Sequence, residues 1–270
     1  MTRIFSALTT IALAIFSSAA AAATELDYRV DTATQILQDL RNLPENAVPP
    51  ALLSRAYAVA VIPSVMKAGF IVGGTYGRGL IVARRDDGSW SNPSFVRLTQ
   101  GSIGFQAGAQ STDLILVFKT RRALDGLARG KITLGGDASV AAGPVGRQAT
   151  ASTDLGMQSE IYSYARSRGF FAGLSVQGGV LAMDRGSNGA YYQGETSPSR
   201  ILTDTSIPAP VSGRRFIDTL AAMVPPLSGV GATRAAAAAP SDMTMPAPES
   251  ARTYGIDDGS GSAMPAEGPF

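Results

Sequence analysis

The chain has 270 residues and a net charge of only +2, which excludes a dedicated nucleic-acid binder because such proteins need a strongly basic balance. It contains no cysteine and no histidine, so disulfides, thiol nucleophiles, Cys/His metal sites and serine–histidine catalysis are excluded. We therefore expect a protein that is not an enzyme and that has no cofactor, no metal site and no nucleic-acid partner.

The first 23 residues have the pattern of a secretory signal peptide. Arg3 supplies the positive charge, an apolar run follows, and small residues lead to Ala23, where cleavage is expected. The apolar run is shorter than the ~20 residues of a transmembrane helix. The segment 1–23 therefore predicts an exported protein, periplasmic or secreted, that can be peripheral to a membrane.

Residues 24–43 carry apolar side chains at every third or fourth position, and Pro44 follows. This spacing predicts one amphipathic helix. Such a helix could lie in a membrane interface, but its polar face is acidic, whereas interfacial helices are rich in Lys and Arg. Packing of this helix on a β core is the favoured interpretation.

The chain then becomes almost entirely β in pattern. AYAVAVIP predicts a buried strand that ends at Pro63, and short apolar runs separated by turn residues follow it. Short helices are expected after Phe118 and from Ser197. The predicted fold class is α+β, with a mostly antiparallel, strongly curved or barrel-like β-sheet on which the N-terminal helix and the short helices pack.

The composition shifts to Pro, Ala, Gly and Ser after residue 203. We expect a folded domain over residues 24–203 and a disordered tail over residues 204–270. Within this tail, RRFIDTLAAMV could form one helix.

The glycine-rich stretch GKITLGGDASVAAGPVGRQATAS, from Gly130 to Ser152, could in principle hold a phosphate. It lacks the Gly-Lys-Ser/Thr step into a helix that a P-loop requires. The stretch instead predicts two strands around a bend at Gly135 and Gly136, with small side chains that allow other elements to approach closely.

Basic residues form two groups. The first group lies on KTRRALDGLARGK, from Lys119 to Lys131. Two similar glycine-rich segments, beginning at Gly69 and at Gly169, are each expected to form a hairpin, and the second group lies near them, at Lys67, Arg78, Arg166 and Arg168. Near anionic lipid each basic residue is worth on the order of 1 kcal/mol. Either group could be a membrane-binding face or an ordinary solvated surface.

Several ordered motifs resemble the SYLF lipid-binding domain family, which is also described as an actin-binding module in eukaryotic endocytic proteins. The motifs are KAGF from Lys67, DGSWS from Asp87, GFQAG from Gly104, LGGDASVAAGPVGR from Leu134 and SYARSRGFFAG from Ser163. The resemblance covers about residues 51–194. Where many family members have Ala-Lys-Gly, this chain has Arg55-Ala56-Tyr57, so that cation is missing or displaced.

The resemblance implies binding of anionic phospholipid head groups, phosphoinositides in eukaryotic members, without catalysis. It adds Arg147 to the candidate contacts. The full set of candidate lipid-binding residues is Lys67, Arg78, Lys119, Arg121, Arg122, Arg129, Lys131, Arg147, Arg166 and Arg168. Actin binding is not expected of an exported chain.

The predicted function is therefore non-enzymatic binding of anionic phospholipid at an envelope membrane surface. The alternative is a scaffold protein that binds another envelope protein through the domain or its C-terminal tail.

Overall fold

The computed structural model describes residues 24–42, 48–69, 72–103, 108–144, 158–167, 170–173 and 176–224. They all fall within one compact unit that ends at Leu227. Residues 1–23, which include the expected signal peptide, residues 225–270, Arg147 and Arg168 lie outside the described residues.

Helices and strands are numbered in chain order. The helices are α1 (residues 24–42), α2 (Pro50–Ser54), α3 (Arg121–Ala128), α4 (Arg185–Tyr191), α5 (Pro198–Thr203) and α6 (Val211–Met223). The strands are β1 (Ala58–Gly69), β2 (Val72–Ala83), β3 (Ser94–Ile103), β4 (Gly108–Phe118), β5 (Lys131–Thr133), β6 (Val140–Ala142), β7 (Ile161–Ser167), β8 (Phe170–Gly173) and β9 (Val180–Met183). Among the described residues, no helix is both long and apolar enough to cross a membrane.

The described strands form one strongly curved sheet in the order β5-β9-β3-β2-β1-β4-β7-β6, and β8 pairs with β7. All of these pairings are antiparallel except β6 with β7. The strands β5 and β6 lie at opposite ends of this order, yet only a short turn separates them in the chain, with a bridge from Leu134 to Ala138. The sheet must therefore curl so that its two ends lie near each other, which confirms the predicted α+β fold with a strongly curved sheet.

Both faces of the central strands are buried. Alternate side chains of a strand point to opposite faces, so Val59 and Val61 enter one core cluster while Ala60 and Ile62 enter another. The first core is covered by α1, α2, α4 and α6. The second core is filled by α3 and by the β5–β6 connection.

Helix α1 packs on the sheet, as its sequence pattern predicts. Its apolar stripe, which includes Val30, Ile36 and Leu37, is almost fully buried in the first core. The helix therefore uses its apolar face within the domain.

Strand β1 does not end at Pro63, contrary to the sequence prediction. The strand continues to Gly69 through a shift of register between Ile62 and Val65. At this bulge Ser64 adopts a φ of 49°, and its backbone N–H donates to Asp113 Oδ1 at 2.9 Å. A bulge accommodates the missing N–H of proline, which is why the strand bends here and does not stop.

Close backbone approach explains two of the glycines. A Cβ on Gly79 would lie 2.2 Å from the carbonyl oxygen of Val61, and one on Gly143 would lie 2.0 Å from the ring of Tyr164. The described part of the glycine-rich stretch, residues 130–144, therefore contributes β5, a turn and β6, as predicted, and Gly143 lies where the ring of Tyr164 packs on the backbone.

Helix α6 extends the packed structure beyond residue 203. Its Phe216 and Leu220 are fully buried in the first core. Two polar contacts join it to α1, from Ser212 to Asp27 at 2.5 Å and from Arg215 to Asp31 at 2.7 Å. The composition-based boundary at residue 203 is therefore too early, because an apolar helical stripe continues within the Pro- and Ala-rich sequence.

Candidate functional site: a basic surface around helix α3

The structure separates the described candidate residues into two groups. Lys119, Arg121, Arg122, Arg129 and Lys131 lie on and around α3. The others lie elsewhere on the sheet: Lys67 pairs with Thr75 near the far end of β1, whereas Ala58 at its start pairs with Phe118, next to Lys119. At about 3.3 Å per residue, Lys67 lies roughly 30 Å along β1 from Ala58, so Lys67 is remote from Lys119. Arg78 of β2 is nearer to the α3 region, because it pairs with Arg97 of β3, which lines the cleft described below.

Helix α3 is held in place by a capped first turn and a buried face. Thr120 precedes the helix, and its hydroxyl accepts a hydrogen bond from the backbone N–H of Ala123, which stabilises a helix N-terminus. Ala123 and Leu127 are buried in the second core. The arginines at positions 121 and 122 consequently face solvent.

A cleft of about 1000 Å³ lies between α3, β5, β9 and the start of α4, and we call it the first cleft. Its basic lining residues are Arg97, Arg122, Arg129, Lys131 and Arg185. Its only acidic lining residues among those described are Asp137 and Asp184. The cleft therefore carries an excess of positive charge.

The two carboxylates of the first cleft are engaged by local N–H and O–H groups. Asp137 accepts a hydrogen bond from the backbone N–H of Thr133 at 2.7 Å, and this bond lowers the pKa of Asp137. Asp184 caps α4 by accepting from the N–H and the hydroxyl of Ser187, at 3.1 and 2.9 Å. Both acids thus have partners other than the arginines.

Most cations of the first cleft lack a carboxylate partner. Arg122 lies 3.4 Å from Glu160. The other four (Arg97, Arg129, Lys131 and Arg185) form no ion pair within 4 Å with any residue that the structure describes. An anion that enters the cleft would therefore meet several cations not already neutralised.

A second cleft of about 770 Å³ lies on the other side of α3 and is bounded by α2, the end of β2 and α5. Its cations are Arg55, Arg84, Arg85, Lys119 and Arg121, and its carboxylates are Asp86 and Asp125. Apolar lining comes from Tyr57, Leu124, Ala128 and Leu202, among others. Helix α3 thus separates two basic clefts of different character.

The described candidates outside the α3 region have different surroundings. Arg166 lies 2.7 Å from Asp39 of α1 and 3.7 Å from Asp113 of β4, and its side chain is only 22% exposed. Arg78 donates to the Tyr76 hydroxyl, which raises the pKa of Arg78, and lies 3.8 Å from Glu25. Arg166 and Arg78 therefore hold α1 against the sheet, whereas Lys67 is exposed.

Five cations of the two clefts are absent from the set of candidates that the sequence suggests: Arg55, Arg84, Arg85, Arg97 and Arg185. Arg97 and Arg185 are far apart in sequence and meet because β3 pairs with β9, with Arg97 opposite Ala182. No local signal could have found that pair. Arg84 and Arg85 are adjacent in the sequence, but they lie outside the two basic groups that the sequence analysis identified.

The comparisons with known proteins give a family match. Residues 99–223 match the Ysc84 family model, described as "Las17-binding protein actin regulator". This range contains α3, α6 and all lining residues of the first cleft except Arg97, and it confirms the resemblance to the SYLF family. The matched range, 99–223, begins and ends later than residues 51–194, which the sequence motifs cover.

Curated relatives are similar over about 60% of the chain. An SH3 domain-containing protein of Schizosaccharomyces pombe is 41% identical over 59% of the chain and 37% of its own length. LAS seventeen-binding protein 3 of Saccharomyces cerevisiae is 37% identical over 62% of the chain and 37% of its own length. Human SH3 domain-containing YSC84-like protein 1 is 36% identical over 63% of the chain and 50% of its own length. The matches thus span half or less of these relatives.

These findings correct the expected localisation. The relatives are proteins of yeasts and human whose names refer to SH3 domains or to Las17 binding, and the family is described as an actin regulator. Actin is an intracellular protein, so the expectation of an exported, periplasmic or secreted protein is wrong. A signal-like composition at residues 1–23 was not enough to establish export. An actin partner was not expected only because export was expected, so an actin partner is no longer excluded.

Proposed function

We propose that this chain, whose residues 99–223 match the Ysc84 (SYLF) family model, is a non-enzymatic protein that binds anionic phospholipid head groups through the basic surface around α3. The observation that carries the proposal is the first cleft, where four cations have no ion pair with a described residue. One relative is named LAS seventeen-binding protein 3, and the family model is described as a Las17-binding protein actin regulator, which agrees with a binding role.

The physical basis of this binding is electrostatic. Arginine presents a planar fork of N–H donors that matches phosphate oxygens. Each basic residue near an anionic membrane surface is worth about 1 kcal/mol. Removing two of them should cost ~2 kcal/mol, which is roughly a 30-fold loss of affinity.

The first test measures co-sedimentation of the full chain with vesicles. Vesicles that contain phosphatidylserine or a phosphoinositide should bind the protein, and pure phosphatidylcholine vesicles should not. Binding should weaken as salt rises from about 0.1 to about 1 M, because the Debye length falls from ~10 to ~3 Å. Equal binding to both kinds of vesicle, or salt-independent binding, would overturn the electrostatic mechanism.

A matched pair of variants locates the site. The double variant Arg129→Gln/Lys131→Gln removes two cations from the first cleft. The control Arg41→Gln/Arg214→Gln removes the same charge from a surface that lies on α1 and α6. We expect about 30-fold weaker vesicle binding for the first variant and little change for the control. Comparable losses in the two would mean that only net charge matters.

A variant at the hairpin end tests the competing location. Lys67 is the exposed described candidate there, and Lys67→Gln should leave vesicle binding nearly unchanged. If Lys67→Gln abolishes binding while the first-cleft variant does not, the hairpin corner that the resemblance implies is the lipid site.

A protein partner is a second candidate function. It is favoured by the family description as a Las17-binding actin regulator, and a basic surface could contact an acidic protein surface. Co-sedimentation with filamentous actin, with the same variants, tests this candidate. Actin binding that survives in the first-cleft variant would place such a partner elsewhere on the chain.

The tail is tested by truncation after Val224, because truncation after residue 203 would remove the buried Phe216 and Leu220. Lipid binding by the domain should survive the deletion of residues 225–270. Loss of partner capture with retained lipid binding would assign the partner to the tail, in agreement with the scaffold alternative.

A further inference from the structure

The second cleft differs from the first in having an apolar floor. Tyr57 is 44% exposed at this cleft. Leu124 is partly buried, and Leu202 is buried; both belong to the second core. The floor of the cleft is therefore continuous with the apolar interior of the domain.

A rim of arginines surrounds this floor. Arg84 stacks on Trp90, with the guanidinium carbon 4.6 Å from the ring centroid, and donates from Nη2 to Leu53 O at 3.3 Å. Arg85 donates from Nη1 to Trp90 O at 2.9 Å. These contacts fix the positions of both guanidinium groups next to the cleft.

Two hydrogen-bond donors at this rim are left without a partner. The Nε atoms of Arg84 and Arg85 are buried and have no hydrogen bond with the described part of the protein. A buried donor without an acceptor is costly, and burial lowers the pKa of Arg84. Because both Nε atoms are buried, an anionic group at this rim would act on the charge of the two guanidinium groups and not through Nε.

The carboxylates of the cleft do not neutralise the rim. Asp86 is paired with Arg121 at 3.2 Å. This leaves Asp125 as the remaining described carboxylate against Arg55, Arg84 and Arg85. The charge of the rim therefore favours an anionic ligand.

We propose that the second cleft binds a single-chain anionic amphiphile, with one acyl chain against Tyr57 and Leu124 and the anionic head at Arg84 and Arg85. The volume of about 770 Å³ lies within the range of roughly 300–1,000 Å³ that small-molecule pockets have. The apolar floor disfavours a bare phosphate ion, and the arginine rim disfavours a neutral hydrocarbon. This inference goes beyond head-group binding at a membrane surface, because the ligand can be bound as a monomer without a bilayer.

The head group can be a carboxylate or a phosphate, and the experiment separates them. The full chain is titrated calorimetrically, below the critical micelle concentration, with oleate, with lysophosphatidic acid and with lysophosphatidylcholine. Oleate or lysophosphatidic acid should bind with one-to-one stoichiometry, and the one that binds more tightly identifies the head group. Lysophosphatidylcholine should bind at least about tenfold more weakly, since its net charge is zero. Absence of binding by both anionic lipids, or equal binding by all three, would overturn the proposal.

A variant of Tyr57 should still fold, because the hydrogen bonds of this residue are made by its backbone. Its N–H donates to Phe118 O, and its carbonyl oxygen accepts from Arg84 N. Tyr57→Ser should weaken binding of the anionic lipid about tenfold, as the loss of a packed aromatic contact does. The matched control is Tyr28→Ser, which changes a tyrosine that is 72% exposed on α1 and should leave binding unchanged. Equal effects of the two variants would contradict the assigned position.

A second variant fills the cleft while keeping every charge. Ala128→Trp places a large side chain among the lining residues of the cleft and should abolish monomer binding. Vesicle binding through the first cleft should persist in this variant, and Arg129→Gln/Lys131→Gln should leave monomer binding within about twofold, because the two sites are independent. Failure of monomer binding alone would overturn this inference and leave the proposed function standing.

Discussion

Arg166 has one role according to the family resemblance and a different role in the structure, and a measurement of protein stability distinguishes the two. The resemblance implies a lipid contact for Arg166, whereas in the structure its guanidinium bridges Asp39 of α1 and Asp113 of β4. We predict that Arg166→Gln destabilises the fold by releasing one point of attachment of α1.

The magnitude follows from the burial of the pair. Arg166 and Asp39 are 22% and 28% exposed and lie 2.7 Å apart. Exposed pairs are worth ~0–1 kcal/mol, and breaking a fully buried pair costs about 3–5 kcal/mol. This partly buried pair should therefore cost about 2 kcal/mol when Arg166 is lost.

The assay is urea denaturation of the wild type, Arg166→Gln, Asp39→Asn and the double variant. The double variant should be less destabilised than the sum of the single variants, because each single change already breaks the pair. The control is Arg215→Gln, whose partner Asp31 is also at 2.7 Å but whose pair is 55% and 46% exposed. This control should lose less than about 1 kcal/mol. Unchanged stability with loss of vesicle binding in Arg166→Gln would refute the reasoning and support the lipid contact.

Three further predictions concern the fold. Gly79→Ala should destabilise the protein by more than about 1 kcal/mol, because the added Cβ would lie 2.2 Å from a backbone oxygen of β1. The control in the same denaturation assay is Gly101→Ala, whose added Cβ would meet no atom within 4 Å. Similar losses of stability in the two variants would contradict this explanation. Phe216→Ala should cost about 3–5 kcal/mol, since its ring is fully buried, and a loss below about 1 kcal/mol would mean that α6 does not pack as described. A hydrogen bond from the hydroxyl of Ser206, aided by its backbone N–H, lowers the pKa of Asp204 to about 2, so its contribution to stability is present above the ordinary aspartate pKa and is lost as the pH falls toward about 2. Acid denaturation of Asp204→Asn should accordingly show a shallower fall in stability between about pH 4 and pH 2 than the wild type, and an unchanged slope would contradict the assignment.

The fold was largely predictable because it depends on short-range patterns. The period of helix α1 predicts residues 24–43, and the helix occupies residues 24–42 with the same apolar stripe buried. The alternation of apolar residues and the turn residues predict a curved antiparallel sheet. The path through Pro63 was not predictable, because the bulge depends on Asp113, a residue on another strand.

The candidate site was only half predictable. The basic residues of Lys119–Lys131 are close in sequence, so their grouping around α3 could be seen directly. Arg97 and Arg185 join them only through the pairing of β3 with β9. The sequence placed Arg166 among the lipid contacts. Its actual partner, Asp39, comes near it only when α1 docks on the sheet, and no local sequence pattern reveals that contact.

Hydrogen–deuterium exchange of the full chain, with and without anionic vesicles, tests the central claim most directly. The account predicts slower exchange over Lys119–Lys131 and the start of α4, which border the first cleft, and no change over Lys67–Tyr76 at the hairpin end of β1 and β2. Phosphatidylcholine vesicles should change neither segment. Protection confined to Lys67–Tyr76, with none over Lys119–Lys131, would contradict the assignment of lipid binding to the basic surface around α3.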